Sequence, residues 1–420
     1  MSKTKKTVIT ISDHPFSPSG VGTQTKHFIE SMLETGEYRF LSLGGAIRHN
    51  DYTPSKTEKW GEDWVVVPVD GYGTKEFIRH LLAAEKPDAL WIMTDPRFWG
   101  WLWAMDNEIR TNVPIIYYHV WDNYPFPTFN KKYYESNDYI ATISKVTDDI
   151  VANVAPSVKR KYIPHSVDSD IFCTLSEKET KEFRKVSFGD EKKKFTVLWN
   201  NRNARRKQSG SLIFWFKEFL DIVGHDNARL IMHTEPSDPN GQDLMAIMKN
   251  LDLLNGQVML STEKMPQPSL ARMYNIADVT INVSDAEGFG LATLESLSCG
   301  TPIIVTMTGG LQEQVTDGKS WFGIGIEPSS KAIIGSQEVP WIYEDRINKK
   351  DVVDSLVKMY NMTDKERIEL GSKGREHVLK NYNPEVCKQK WIDLMNEVAE
   401  DMGSWENRKG YDNWTMEKIA

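Results

Sequence analysis

Short apolar, β-branched runs recur along the chain, each followed by a turn-rich stretch and then by apolar residues spaced three and four apart. The first run is residues 7–11, TVITI, whose unbroken apolar character suits a strand buried on both faces. Asp13 to Gly22 follows, rich in Pro, Ser and Gly. A helix then carries Phe28, Ile29, Met32 and Leu33 on one face and stops near Gly36. Further strands are expected at residues 89–93, 114–118 and 138–143, with amphipathic segments between them. A charged, weakly periodic stretch from Ser176 to Lys194 interrupts the pattern. Strands resume at 195–199, 278–284 and 302–306. Strand and helix alternate throughout, so the expected class is α/β with parallel sheets, in which ligands collect beyond the carboxyl ends of the strands.

Length divides this pattern in two. At 420 residues, 40% of them hydrophobic and 11% aromatic, the chain is too long for one ordinary core. The expected organisation is an N-terminal domain over 1–172, a linker over 173–194, a second domain over 195–383 and a final helical segment over 384–420, with Val386, Trp391, Leu394 and Val398 on its apolar face. Cys173, Cys299 and Cys387 are widely spaced and form no metal or redox motif, which makes a reducing cytoplasm the default. MSKTKK leads into a short strand rather than an apolar leader, and the aromatic stretch 98–105 is far too short to span a bilayer. A net charge of −8 argues against an extended nucleic-acid or anionic-membrane surface, although Lys159, Arg160 and Lys161 form a local basic stripe. Trp91, Trp99, Trp101 and Trp103 cluster in the first half, either as core residues or as a stacking platform for a sugar or a base.

The most informative segment is residues 287–295, EGFGLATLE, which places two carboxylates around a glycine turn between an apolar strand and an apolar helix. Gly288 and Gly290 flank Phe289 and let the backbone approach a ligand closely. From Leu291 the spacing of Leu291, Leu294 and Leu297 predicts a short buried helix, closed by Gly300 ahead of Pro302. The amino end of such a helix offers unpaired amide hydrogens and partial positive charge to a phosphate. Glu295 lies roughly 7–8 Å along the axis from that helix start and Glu287 sits nearer the turn, so the two carboxylates bracket that position. The competing reading is a surface loop with solvated glutamates. The run Arg202 to Lys207 poses the same choice, since with Arg205 and Arg206 it also reads as a solvated basic stretch.

The stretch EGFGLATLESLSCGTPIIVTMTGGLQEQVTDG resembles the donor-binding signature of the retaining glycosyltransferases of family 4, which have the GT-B fold. The resemblance is strongest from about residue 260 to 318, and 270–278 and 309–313 match the flanking helix and loop. It implies two Rossmann-like domains facing each other across a cleft, with the last helix crossing back to the first domain. It assigns Glu287 to the donor sugar hydroxyls, Glu295 to the nucleotide ribose, and Gly288, Phe289, Gly290 and Leu291 to the donor turn. Arg202 and Lys207, with the family's spacing, would hold the pyrophosphate; Gly20 and Gly22 would face the donor or acceptor, and His119 would line the sugar pocket. Two departures are visible. Asn201 replaces the usual glycine before the arginine, and His165–Ser166 replaces the usual pair in the segment that closes the first domain.

The expectation is thus a metal-independent retaining transferase that uses a nucleotide-sugar donor as co-substrate, with uridine as base, and no other cofactor. The acceptor is unspecified: carbohydrate, protein, lipid or modified nucleic acid. A nucleotide-sugar epimerase of the same fold, a binding-only protein and a DNA-modifying glycosyltransferase stand as alternatives.

Overall fold

In the computed structural model, residues 5–123, 126–189 and 193–412 are described; the parts of the expected linker and tail at 190–192 and 413–420 lie outside them. The chain forms two compact units. One comprises residues 1–166, 335–341 and 384–420, the other 167–334 and 342–383.

The first unit is built on an eight-stranded sheet. Its strands are β1 (Lys6–Asp13), β2 (Tyr38–Gly45), β3 (Ser55–Thr57), β4 (Gly61–Pro68), β5 (Ala89–Met93), β6 (Ile115–His119), β7 (Tyr139–Thr142) and β8 (Lys159–Tyr162). They lie in the order β3-β4-β2-β1-β5-β6-β7-β8, parallel except for the antiparallel edge strand β3. β5 and β6 are buried at every position, as their continuous apolar runs require. The chain turns one way from β1 to β2 and returns on its other side at β5, so a crevice opens beyond the carboxyl ends of β1 and β5.

The helix Gly20–Leu33 begins earlier than its glycines suggest. Ser19 caps it by accepting a hydrogen bond from the Gly22 amide at 2.9 Å, which draws Gly20 and Gly22 into the first turn instead of leaving them in a loop. A Cβ on Gly22 would meet His14 O at 2.6 Å, so this glycine serves close packing of its own turn. The tryptophans divide in favour of packing: Trp91, Trp99 and Trp103 are buried, while Trp101 is partly exposed. Lys159, Arg160 and Lys161 are paired with Asp401, Asp148 and Glu397 at 2.6, 3.4 and 3.2 Å. The basic stripe is therefore neutralised within its own unit, which removes the feature that favoured a nucleic-acid partner.

The second unit carries a six-stranded parallel sheet of β9 (Phe195–Asn200), β10 (Ala228–His233), β11 (Val258–Ser261), β12 (Val279–Asn282), β13 (Ile303–Thr306) and β14 (Gly323–Ile326), ordered β11-β10-β9-β12-β13-β14. A hairpin of β15 (Ser330–Ile334) and β16 (Ile342–Arg346) follows. The core gathers Val197, Trp199, Leu212, Phe216, Ile281 and Leu356. β9 pairs with β10 on one side and β12 on the other, so the loops after β9 and β12 flank the point where the winding reverses.

The stretch expected as a linker falls within the second unit. Residues 167–172 join the second unit, where Ser298 Oγ donates to Phe172 O at 2.6 Å. The helix Glu177–Phe188, opened by a capping box of Ser176 and Glu179, packs there as well. Leu175 N–H donates to Asn275 Oδ1 at 2.8 Å, and Arg184 reaches Asp278 at 3.2 Å. The charged sequence records the outer face of a packed helix.

Among the described residues no helix is long and apolar enough to cross a membrane. In the first unit the helix Pro384–Met402 inserts Trp391 among Phe28, Trp91 and Tyr118, with ring centroids 4.6, 6.0 and 4.9 Å away. Trp391→Ala is expected to lower the unfolding free energy by about 3–5 kcal/mol, measured by urea titration followed at Trp fluorescence; an unchanged midpoint would show that this helix is not part of the first unit's core.

Candidate functional site

The loops after β9 and β12 meet at the winding reversal of the second unit. The β9 strand ends at Asn200 and the chain runs through Arg202 into the short turn Arg205–Lys207. The β12 strand ends at Asn282 and leads through Asp285 to the glycine turn 288–290. These two loops bring Lys207 and Glu287 into an ion pair, with both side chains about nine-tenths buried. Asn282 Nδ2 donates to Glu287 at 3.4 Å, and Arg206 donates to the neighbouring carbonyl of Ala286. Burial alone would raise the Glu287 carboxyl, but the Lys207 and Arg206 charges and these hydrogen bonds outweigh it and hold the group below its ordinary value. Glu287 is an anion at neutral pH.

Gly290 adopts φ +91° and caps the helix Leu291–Ser298. As a glycine, the cap gives this helix start no side-chain hydrogen bond. The turn is braced from behind: Gln314 Nε2 donates to Phe289 O at 2.7 Å, Thr293 Oγ1 donates to Gly290 O at 2.8 Å, and Gly310 N–H donates to Glu287 O at 3.1 Å. A Cβ on Gly310 would stand 2.7 Å from Phe289 Cα, so the two glycine turns touch backbone to backbone.

Glu295 sits on the same helix and accepts from Tyr274 Oη at 2.7 Å, while Asn200 Nδ2 donates to that hydroxyl at 2.8 Å. Burial raises Glu295 to about 7, with the Tyr274 hydrogen bond pulling partly back. The site therefore holds one firmly charged carboxylate and one that protonates near neutrality.

The remaining expected residues are placed differently. Arg202 extends outward, 65% exposed, in a two-pronged pair with Asp238 at 2.6 and 3.2 Å. The structure thus separates it from the Lys207–Glu287 pair in its bonding. Gly20, Gly22 and His119 belong to the first unit. His119 ends β6 fully buried, its Nε2 bonded to Tyr134 Oη at 2.8 Å, and burial lowers it to about 3, so the imidazole is neutral.

Sequence reasoning missed several supporting groups. Tyr274 and Asn282 lay inside quoted segments with no role assigned; each is a polar residue at an otherwise apolar position, which is the available signal. Arg205 and Arg206, read as potentially solvated, are bound to Glu344 and to Ala286 O. Glu344 and Arg346 stand in an alternating polar strand that resembles any surface hairpin. Among the described residues no cluster of His, Cys, Asp or Glu is arranged to hold a metal ion.

Residues 179–354 match the family model of glycosyl transferases, group 1. A D-inositol 3-phosphate glycosyltransferase of Thermomonospora curvata is 46% identical over 70 residues, 16% of each chain. A protein of the same name from Corynebacterium jeikeium is 28% identical over 199 residues, 46% of each chain. The chain spans less than half the length of these curated relatives. Among solved structures, sucrose-phosphate synthase from Thermosynechococcus elongatus superposes with a TM-score of 0.75 at 16% identity, covering 94% of this chain and all of that one. Anabaena Alr3699/HepE, solved in complex with UDP and glucose, gives 0.68 at 13% identity, covering 93% and 99%. The fold is that of the GT-B glycosyltransferases, two α/β domains with parallel sheets.

Two outcomes follow from the site's charges. Lys207→Met strands a buried carboxylate and is expected to cost about 3 kcal/mol or more, most of it recovered when Glu287→Gln is added, as read from a double-mutant cycle in urea. For Glu295, the unfolded carboxyl titrates near 4.5 and the native one near 7, so its contribution to stability is full below about 4.5 and lost as pH rises through 7. Glu295→Gln is accordingly expected to gain about 1–3 kcal/mol on the parent chain between pH 5 and pH 8. Parallel stability curves across that range would refute a raised Glu295.

Proposed function

We propose that this chain is a retaining glycosyltransferase of the cytoplasm, which moves a hexose from a uridine-diphosphate sugar to an acceptor hydroxyl without a metal ion. The observation that carries the reading is the convergence, at the winding reversal of one parallel sheet, of the Lys207–Glu287 pair, a glycine-capped helix start after Gly290 and the Tyr274-bound Glu295. The match of residues 179–354 to glycosyl transferases of group 1 supports the reaction class, and the UDP and glucose of the Anabaena structure support uridine and a hexose.

Each group then has a role set by its chemistry. The amides at the start of the Leu291–Ser298 helix receive the diphosphate, whose charge grows as the glycosidic bond breaks. Lys207 supplies fixed positive charge beside it, and Arg202, held only by an exposed pairing with Asp238, exchanges that partner for phosphate oxygen. Glu287 is an acceptor for the sugar's hydroxyls and Glu295 for the ribose diol. Retention follows from the resemblance to the two-glutamate family: the new bond forms on the face the diphosphate leaves, and a donor phosphate oxygen takes the acceptor's proton. No protein nucleophile is used.

The test is a thermal-shift and calorimetric screen of nucleotides and nucleotide sugars. A uridine-diphosphate sugar at a hundredfold excess over its dissociation constant is expected to stabilise the folded chain by about 2.7 kcal/mol. Glu295→Ala and Arg202→Ala should each weaken that binding at least tenfold. Absence of binding by every nucleotide sugar would overturn the donor site, and isomerisation of the donor without acceptor would replace transfer by epimerisation.

A further inference from the structure

Behind the Lys207–Glu287 pair lies a second set of charges that the transfer reaction does not use. Glu344, on β16, is 2% exposed and grips Arg205 through both carboxylate oxygens, at 2.5 and 2.8 Å. Arg346, two residues along the same strand, donates to Glu344 Oε2 at 2.8 Å and pairs with Asp285 Oδ2 at 2.7 Å. Asp285 is also 2% exposed and accepts from Gln208 Nε2 at 2.7 Å. The backbone repeats the same linkage: Asp285 N–H donates to Arg206 O at 2.8 Å, and Asp345 N–H donates to Asp285 O at 2.9 Å.

The placement is specific to the pair in front. Arg205 and Gln208 bracket Lys207 on one turn, and Asp285 stands two residues before Glu287 on the other. Three segments far apart in sequence are thus joined at one place, and each joint lies within two residues of the Lys207–Glu287 pair. Asp285 and Glu344 are two carboxylates bridged by the Arg346 guanidinium, while Arg205 and Gln208 tie each of them to the other loop.

We propose that Arg205, Asp285, Glu344 and Arg346 form a positioning network in which β16 holds the two loops at the separation that lets Lys207 and Glu287 meet a donor, with Glu344 as its central residue. The proposal rests on the donor-site reading for its functional consequence, and on the network alone for its structural one. Buried at 2% exposure, Glu344 acts through Arg205 on the turn that carries Lys207. Replacing it with glutamine keeps its shape and removes the charge that orders two arginines.

The experiment uses the full chain, Glu344→Gln, Lys207→Met and the double variant. Hydrogen exchange by mass spectrometry on the unliganded proteins is expected to show peptides covering 202–208 and 285–290 exchanging at least tenfold faster in Glu344→Gln, with β1 and β5 peptides unchanged. Unchanged protection of both loops in that variant overturns the network, whether or not the chain binds nucleotides. For function, the probe is uridine diphosphate by calorimetry. Glu344→Gln is expected to weaken binding about tenfold, and the double variant to bind no worse than Lys207→Met alone, because the residue works through Lys207. Strictly additive losses would overturn the positioning role and leave Glu344 a local structural residue. If the parent chain itself binds no uridine diphosphate or its sugars, the donor reading fails and the exchange result alone decides the network.

Discussion

A buried opposite-charge pair between two loops, Lys207 and Glu287, is the constraint to which the rest of the second unit is fitted. Such a pair adds little net stability, because taking both charges out of water costs nearly what their attraction returns. Its effect is on uniqueness: half a pair cannot be buried, so the two loops have one acceptable arrangement. The sheet makes that arrangement reachable by laying β12 directly beside β9, with Val279 opposite Val197 and Thr280 opposite Leu198. Asn282 adds a hydrogen bond to Glu287, while Arg206 and the β16 network hold the backbone turns on either side.

The two glutamates of the motif, one on the loop before the glycine turn and one on the helix after it, are two kinds of acid. Glu287 faces cations and stays ionised, whereas Glu295 has a phenol and apolar walls around it and gains a proton near neutral pH. An ionised carboxylate accepts hydrogen bonds only, while one near its midpoint also donates. The separation comes from neighbours contributed by other segments, Tyr274 from one helix and Lys207 from another loop. Eight residues of spacing place the acids; their surroundings decide what each can do.

Much of this was legible in the sequence, and the limits are physical. Buried parallel strands are rich in apolar and β-branched residues, so 89–93, 195–199 and 278–284 announce themselves, and Gly290 followed by leucines three apart announces the helix. A charged helix face and a charged linker have the same composition, so 177–188 gave no sign of the segments it packs against. Glycines in a first helical turn read as loop glycines until the cap at Ser19 is seen. Within the site, Glu287, Gly290 and Glu295 were picked out by their spacing around the glycine turn and Lys207 by its resemblance to the family's basic pair. Glu344 and Arg346 were not, since nothing in an alternating polar strand says which of its carboxylates will be buried. Arg202 was assigned by resemblance to the family's basic pair, which carries no information about Asp238.

The chain passes between the two units four times, at 166/167, 334/335, 341/342 and 383/384. Neither unit can be obtained by a single cut, and synthesis does not complete them in order. The first unit still lacks Trp391 when all six strands of the second sheet have left the ribosome, so the apolar ground formed by Phe28, Trp91 and Tyr118 waits uncovered through most of translation. The unit begun first is finished last. Its vulnerable period, when a chaperone would have most to hold, is set by the position of one tryptophan near the end of the chain.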